Sequence, residues 1–375
     1  MLSPYDDLPL HQSPVPIAFA GTGDRNAYER YFFNGYDRDG DIFFAAALGV
    51  YPNRQVIDAS FSVVRAGEQR SLHASGRLGD DRVLTRIGPI EVVVVEPMRR
   101  LQIHVGGSDL GVRADLTFQA RTPAVEEPRF TLSDGPRLVF DYTRLTQWGT
   151  WSGDIDVDGV QTVVEPDRHL GCRDRSWGIR PVGEPAGGAP AHRLPQFFWL
   201  WAPLHFDDRC VHFDVNEFAD GERWHQTGMV VPLLGGEPDP AELVSTSSVE
   251  RARGVGYEIE WEPGTRRSKR SALTLDLWEG DVHRIDLQPV LTFPMRGLGY
   301  LSPDWNHGSW KGELQVGTES WRVDELDPSE PWNVHVQQLV RAQWGDRTGV
   351  GVFEQLAINE HVPTGLRGLL DGGGS

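Results

Sequence analysis

Apolar and polar residues alternate over short stretches along most of this chain, the pattern of β-strands with one buried face. Asp-Gly pairs at residues 39–40 and 158–159 suit tight hairpins between such stretches, because glycine accepts a positive φ. A single helix is predicted over residues 331–343, with Ser329 as its N-cap. The predicted strands cover residues 42–50, 55–65, 90–96, 101–106, 111–120, 154–164, 197–203, 210–218, 224–232, 256–261, 272–278, 282–293, 312–316 and 349–357.

A weak internal repeat indicates two similar β units. Residues 31–44 contain an aromatic strand, a charged turn and a returning aromatic strand, and residues 197–213 contain the same succession. Antiparallel strands with one apolar face close into barrels or sandwiches. We therefore expect an all-β fold of two consecutive antiparallel β-barrels or sandwiches with few short helices. The expected divisions are an N-terminal arm (1–20), a first domain (21–165) and a second domain (166–375).

The length of the chain indicates how many domains it has, and its net charge excludes some classes of binding partner. The 375 residues suit two domains, and a formal charge of −18 repels nucleic acid and anionic lipid. Residues 1–16 lack the basic and apolar regions of a signal peptide, and the apolar run 197–204 is too short to span a bilayer. We expect a cytoplasmic protein with no integral membrane segment. One bridge between Cys172 and Cys210 is conceivable, but a reduced pair is favoured.

The most distinctive segment is residues 171–181, with the sequence GCRDRSWGIRP. Its glycines and proline predict that no helix or regular strand runs through it. Dense charge beside Trp177 fits a pocket that holds and orients one acid, Asp174, but a salt-bridged turn explains the same composition. Residues 183–194, rich in glycine, proline and alanine, form either a lid over such a site or a tolerated insertion.

Alternation along a second segment brings polar groups together. His212, Asp214 and Asn216 occupy every other position of a predicted strand, so they share one face. That face either lines a cavity or meets water.

A third segment places His307 between Trp305 and Trp310. The two indole rings either bind an apolar or cationic part of a substrate or seal a loop around a hydrogen-bonded histidine.

The sequence lacks the motifs of metal-dependent and cofactor-dependent enzymes. It has no HExxH or HxH pattern, no glycine-rich phosphate or dinucleotide loop in a strand–turn–helix context, and no Gly-x-Ser-x-Gly elbow. We therefore expect no metal and no cofactor, and acid–base chemistry by carboxylates and imidazoles.

The motif at residues 171–181 resembles the central motif of tandem lipocalin-like (calycin) proteins, which include carotenoid 1,2-hydratases (hydroxyneurosporene synthases) and AttH-type proteins. Residues 34–37, 305–312 and 353–355 are similar to motifs of bacterial relatives in that group, and the resemblance spans residues 27–365. It implies two lipocalin-like barrels. In the hydratases it further implies protonation of an isoprenoid C=C bond followed by addition of water.

The resemblance also implies site residues. A His-Asn-Trp triplet of the hydratases falls on Arg175, Ser176 and Trp177, and a downstream Tyr-x-Asp falls on His212 and Asp214. Trp177 and Asp214 match, whereas Arg175 and His212 depart from the pattern. Since an arginine is not a general acid near neutral pH, the proton must come from Asp214 or Asp174.

The resulting hypothesis is a cofactor-independent lyase or isomerase, hydratase-like or cyclase-like, acting on a hydrophobic terpenoid, steroid or polyketide-like substrate. Asp214 is preferred to Asp174 as the acid because no arginine lies within two residues of it on its strand. A carrier protein for an apolar ligand is the alternative, and a scaffold without a cavity is a third. No oligomeric state is predicted. The candidate catalytic residues are Asp214, Asp174, Trp177, His212 and His307, and the candidate substrate-binding residues are Arg175, Trp199, Trp201, Asn216, Trp305 and Trp310.

Overall fold

The predicted all-β class is confirmed. The computed structural model describes residue 6 and residues 8–182 and 195–373. Within these ranges no helix reaches seven residues, and the helical segments are single 3-10 turns such as Pro52–Arg54. No helix among the described residues has both the length and the apolar character needed to cross a membrane.

The described strands form two antiparallel sheets. The strands are β1 (Ala27–Asp37), β2 (Ile42–Tyr51), β3 (Val56–Arg65), β4 (Glu68–Arg77), β5 (Arg86–Ile87), β6 (Ile90–Glu96), β7 (Arg100–Val105), β8 (Val112–Ala120), β9 (Val125–Glu126), β10 (Phe130–Asp134), β11 (Arg137–Val157), β12 (Val160–Val164), β13 (His169–Ile179), β14 (Phe197–His205), β15 (Arg209–Glu217), β16 (Arg223–Pro232), β17 (Glu250–Trp261), β18 (Ser268–Leu277), β19 (Val282–Pro294), β20 (Leu314–Arg322), β21 (Val336–Trp344) and β22 (Arg347–Ile358). The first sheet has the order β20-β4-β3-β2-β1-β13-β11-β8-β7-β6-β5, with β9, β10 and β12 pairing along β11. The second sheet is a closed barrel, β14-β15-β16-β17-β18-β19-β21-β22.

The sheets cross the expected domain division at 165/166 in two places. Strand β13 follows that division in the chain, yet it pairs with β1 and β11 of the first sheet. Strand β20 leaves the second half of the chain and pairs with β4. The two halves are therefore tied together by backbone hydrogen bonds as well as by packing.

The barrel interior is packed with side chains. Alternate apolar residues from all eight barrel strands, such as Phe198, Phe213 and Leu273, form one buried cluster. A separate cluster joins the outer wall of the barrel to the first sheet, where Phe32 lies 6.4 Å from Trp201 between ring centroids. Because the barrel interior is filled, a ligand site near the candidate catalytic residues has to lie between the barrel and the first sheet.

The predicted helix at residues 331–343 is wrong. A 3-10 turn covers Pro331–Asn333, and the chain then runs as strand β21 between β19 and β22. Closure of the barrel requires a strand here. The hydrogen bonds to both neighbours therefore override a local sequence that also suits a helix.

The prediction that residues 171–181 avoid regular structure is also wrong, because β13 is an internal strand of the first sheet. Gly171 allows close approach: a Cβ there would lie 2.0 Å from the backbone oxygen of Asn34 and 2.5 Å from Nε1 of Trp151. The glycine therefore reflects tight packing inside a sheet. Cys172, on the same strand, and Cys210 are buried and free.

Candidate functional site

A cavity of about 380 Å³ lies between the first sheet and the outer wall of the barrel. Its wall is largely aromatic, with Phe140, Tyr142, Phe197, Trp199 and Tyr300 among the lining residues. Such a wall suits an apolar ligand of modest size. The polar residues that line it include Arg30, Arg144, Asp174, Ser176, Arg180, Asn216, His307 and His335.

Strand register explains why polar groups from the first sheet converge on this cavity. Arg30 of β1 and Arg144 of β11 are both paired with Ser176 of β13, so the three residues lie side by side. Directly paired residues of antiparallel strands share a face, and Asp174 lies on that face two positions away. The even-numbered residues of these strands thus face the barrel.

Asp174 is not held by the arginines on either side of it in sequence. Those side chains lie on the opposite face of β13, where Arg173 donates from Nε to Oε1 of Gln147 (2.9 Å) and Arg175 pairs with Glu29. Among the described residues, no donor forms a hydrogen bond with the Asp174 carboxyl group. The salt-bridged turn considered from sequence does not form around Asp174.

Burial raises the pKa of Asp174 from 3.8 to about 7, although the Arg144 and Arg180 charges act in the opposite direction. Asp174 as a residue is partly accessible and lines the cavity, so its open side faces the cavity. It is therefore protonated in a large fraction of molecules at neutral pH and can donate a proton to a bound molecule.

Asp214 lies behind the cavity wall in an ion-pair cluster. Arg144 donates from Nε and Nη2 to the two oxygens of Glu127 (2.8 and 2.5 Å), and Nη2 also contacts Oδ2 of Asp214. Trp199 donates from Nε1 to Oδ1 of Asp214 at 3.2 Å. The arginine that neighbours Asp214 thus comes from another strand, 70 residues away in the chain.

The two carboxylates compete for one guanidinium. Burial raises the pKa of Asp214 to about 8, since the attraction of Arg144 is countered by the nearby Glu127 charge. Burial acts in the same direction on Glu127, but Arg144 and His212 hold its pKa well below the usual range. Asp214 is 0% exposed and does not line the cavity, so a ligand there meets Arg144 and Trp199 first.

Glu127, Asp214 and His225 have the geometry of a metal-binding group, with ligand atoms within 4.8 Å of one another. The Arg144 guanidinium already donates hydrogen bonds to both carboxylates. A metal ion there would have to displace a buried arginine. These residues fit an arginine-centred cluster better than a metal site.

Two predicted catalytic histidines have restricted roles. His212 is fully buried, and its Nε2 lies 3.5 Å from Oε2 of Glu127, too far for a good hydrogen bond. His307 lines the cavity, but Nε2 is bonded to the Leu298 carbonyl (2.8 Å) and Nδ1 faces Arg180 (3.4 Å). Burial, together with the Arg30 and Arg180 charges, holds the pKa of His307 well below 6.5.

The predicted tryptophans are divided between the cavity and other surroundings. Trp199 lines the cavity, and Trp201 is buried beside it in the interface cluster. Trp177 is 40% exposed and shares the outer face of β13 with Arg175. Neither remaining tryptophan lines the cavity: Trp305 stacks on His73 at 5.1 Å, and Trp310 is 45% exposed under the Arg77 guanidinium.

Comparison with known proteins places the chain in a family. The family described as "Family of unknown function (DUF8625)" matches residues 2–367. The chain belongs to this family. No curated protein matches it.

Solved structures show the same fold. Kievitone hydratase from Nectria haematococca has a TM-score of 0.50 and 10% identity, with 88% of each chain covered. A candidate AttH protein from Nitrosomonas europaea has a TM-score of 0.54 and 13% identity, with 93% of this chain and 98% of the other covered. The resemblance to tandem lipocalin-like hydratase and AttH proteins is confirmed at the level of fold.

Sequence reasoning missed a second polar pair in this DUF8625 protein. His335 is buried in the cavity wall, and its Nε2 lies 2.6 Å from Oε1 of Glu354, while its Nδ1 has no partner within the described chain. The pair was missed because His335 falls in the segment predicted as a helix. The lid considered at residues 183–194 lies outside the described residues.

A larger groove of about 1000 Å³ lies elsewhere on the barrel. Its charged side chains neutralise one another, as in the 2.8 Å pair of Arg284 with Glu258, and both side chains are exposed. Ion pairs that are exposed to water do not shift the pKa of a neighbouring acid by much, and they do not attract an apolar ligand. We therefore place the candidate site in the smaller cavity.

Proposed function

We propose that this protein is a cofactor-independent lyase or isomerase that acts on a hydrophobic substrate between its two sheets, with Asp174 as the proton donor. The observation that carries the proposal is a carboxyl group with a pKa of about 7, facing an aromatic cavity with no hydrogen-bond partner among the described residues. Terpenoid, steroid and polyketide-like molecules remain the proposed substrate classes. Asp214 takes a positioning role through Arg144.

The first step transfers the Asp174 proton to an electron-rich carbon or to a leaving hydroxyl group of the substrate. Protonation of a C=C bond leaves a carbocation on the substrate and a carboxylate on Asp174. The Phe140 and Phe197 rings lie in the wall and carry no guanidinium of the described residues on their π faces, so they are placed to stabilise positive charge. Addition of water then gives a hydratase, whereas loss of a different proton gives an isomerase.

The His335–Glu354 pair is the proposed base. A hydrogen bond from Nε2 to Glu354 leaves the lone pair of neutral His335 on Nδ1. Nδ1 is buried in the cavity wall, so the His335 ring must turn toward the cavity; when water attacks the carbocation, Nδ1 then takes the proton that the new C–O bond releases. Return of that proton through solvent to Asp174 completes the cycle, and the reverse order gives dehydration.

The similar solved structures favour hydration over isomerisation only through the name of one of them. One is named kievitone hydratase, and its 10% identity makes the likeness one of fold. The carrier alternative explains the apolar wall equally well, but it gives no reason for burying an unbonded carboxyl group at the cavity surface. Burial of such a group costs stability, which chemistry at that position would explain.

Deuterium incorporation tests the proposal for hydration and isomerisation alike. The protein is incubated in D2O with a panel of unsaturated terpenoids, steroids and polyketides, and products are separated by chromatography and mass spectrometry. Hydration adds D2O to the mass, and isomerisation introduces a C–D bond with a changed retention time. Asp174→Asn should abolish incorporation, and the surface variant Asp158→Asn should retain it. Ligands recovered bound but undeuterated would establish a carrier instead.

A further inference from the structure

Two arginines at the cavity have no ion-pair partner within the described chain. Arg30 is 2% exposed, and Arg180 lies just beyond β13. Among the described residues, neither guanidinium has a carboxylate oxygen within 4.0 Å, whereas Arg144, the third arginine of the cavity, is paired with Glu127. Buried charges are ordinarily paired, so this arrangement requires an explanation.

Most hydrogen-bond donors of the two guanidiniums are also unused. Arg30 donates from Nη1 to the Tyr51 hydroxyl (3.2 Å) and has only a long contact from Nη2 to the Leu298 carbonyl (3.5 Å). Among the described residues, the Arg180 side chain makes one hydrogen bond, from Nη2 to Nδ1 of His307 at 3.4 Å. The Nε atoms of both arginines have no partner in that part of the chain. Most of the five N–H donors of Arg180 therefore have no partner within the described chain.

Both guanidiniums lie against the same ring of the cavity wall. The Cζ atom of Arg30 is 5.1 Å from the centroid of Tyr300, and that of Arg180 is 5.9 Å from it. The Arg180 guanidinium also lies 4.8 Å from the Tyr28 centroid. These contacts hold two like charges close together, which a bound anion would stabilise.

The nearest acids do not neutralise this pair directly. Asp58 is reached from Arg30 only through the Tyr51 hydroxyl, which donates to Oδ1 of Asp58 at 3.3 Å. Asp174 influences Arg180 through space without a hydrogen bond. When Asp174 carries its proton, it contributes no negative charge to balance the two guanidiniums.

We propose that Arg30 and Arg180 form an anion subsite, so that the substrate of this cavity is an apolar molecule with one oxyanion head group. The inference rests on the proposed function, because it assigns the same cavity to the substrate. The planar guanidinium fork matches a carboxylate, sulfonate or phosphate oxygen pair. The aromatic wall takes the apolar body, and a volume of about 380 Å³ limits its size.

An anion bound at Arg30 and Arg180 would also raise the pKa of Asp174. The Arg180 charge lowers the pKa of Asp174, and a ligand anion on Arg180 counters that charge. Bound substrate therefore favours the protonated form of Asp174, the form that donates. Neutral molecules of the same shape gain neither the contact nor this effect.

The test compares two fluorescent probes with the same apolar body: 8-anilinonaphthalene-1-sulfonate and the neutral N-phenyl-1-naphthylamine. The chain carries a formal charge of −18, so anions are repelled from most of its surface and a preference for the sulfonate must arise locally. We expect the wild-type protein to bind the sulfonate about 10- to 100-fold more tightly, the range of charge-assisted hydrogen bonds.

Substitutions of single arginines test whether the preference for the sulfonate arises at this subsite. Arg180→Gln and Arg30→Gln should each lose most of it while binding the neutral probe as before, and the surface control Arg284→Gln should keep it. Asp174→Asn should not weaken it, because the neutral amide leaves both arginines in place and carries no charge to repel the sulfonate. Equal binding of both probes by wild-type protein, or an unchanged preference in both subsite variants, would overturn the inference.

The two proposals fail separately. Sulfonate preference without deuterium incorporation by the wild-type protein leaves the subsite standing and overturns the chemistry. Deuterium incorporation without a preference for the sulfonate would overturn the anion subsite and leave the proposed chemistry standing. Displacement of the sulfonate probe by 2-naphthoate or 2-naphthyl phosphate, and not by 2-acetylnaphthalene, would identify the oxyanion as the group recognised.

Discussion

Replacement of Asp174 by asparagine should make the protein more stable while abolishing its proposed activity. In the folded protein the pKa of Asp174 is about 7 against an ordinary value of 3.8, so ionisation is harder in the folded state than in the unfolded chain. A difference of about three in pKa corresponds to up to about 4 kcal/mol. Asparagine is similar in size and uncharged at every pH, so the variant avoids this penalty.

The sign of the pH dependence follows from linkage. Well below pH 3.8 the carboxyl group is protonated in both states, and wild type and variant should have similar stability. As the pH rises through the range from 3.8 to about 7, the unfolded chain ionises first and wild-type stability falls relative to the variant. Above about pH 7 both states are ionised, and the difference stays constant.

Urea unfolding of both proteins at pH 4, 5, 6, 7 and 8 measures this difference directly. All other titrating groups are common to the two proteins, so their contributions cancel in the comparison. We expect the stability advantage of Asp174→Asn to grow from near zero to several kcal/mol across the series. An advantage that is absent at pH 8, or that does not change with pH, would refute the buried-acid interpretation of Asp174.

Three further predictions test other parts of the structure. Arg144→Met leaves the buried Glu127 carboxylate without its cation and should lower the free energy of unfolding by about 3–5 kcal/mol; an unchanged urea midpoint would contradict the cluster. His335→Gln should slow deuterium incorporation by about 10²–10⁴-fold, and an unchanged rate would contradict its role as the base. Gly171→Ala places a Cβ 2.0 Å from the Asn34 oxygen, and differential scanning calorimetry should show destabilisation of about 1–3 kcal/mol.

Strand alternation predicted local relationships well. The expectation that His212, Asp214 and Asn216 share a face agrees with the register of β15, in which they pair with Pro203, Trp201 and Trp199 of β14, respectively. What lies opposite that face could not be predicted, because it comes from β11 and β13 of another sheet. The ion pair that changes the role of Asp214 joins residues 70 positions apart in the chain.

Errors in local assignment hid two site features. Since residues 171–181 were expected to be irregular, the alternation that separates Asp174 from Arg173 and Arg175 was not applied to them. Since residues 331–343 were expected to be helical, His335 was not placed beside Glu354 on the neighbouring strand. In both segments, pairing with distant strands decides the structure, and local composition does not report it.

The position of the cavity explains why its acid has an unusual pKa. The barrel interior is filled by its own apolar side chains, so the space for an apolar ligand lies where the first sheet covers the barrel. Residues on that covered face of β13 are cut off from water by a second sheet, not by their own strand neighbours. Asp174 is therefore desolvated by the packing of two sheets, and disruption of that packing should return its pKa toward 3.8. The packing of the two sheets therefore sets the pKa of Asp174.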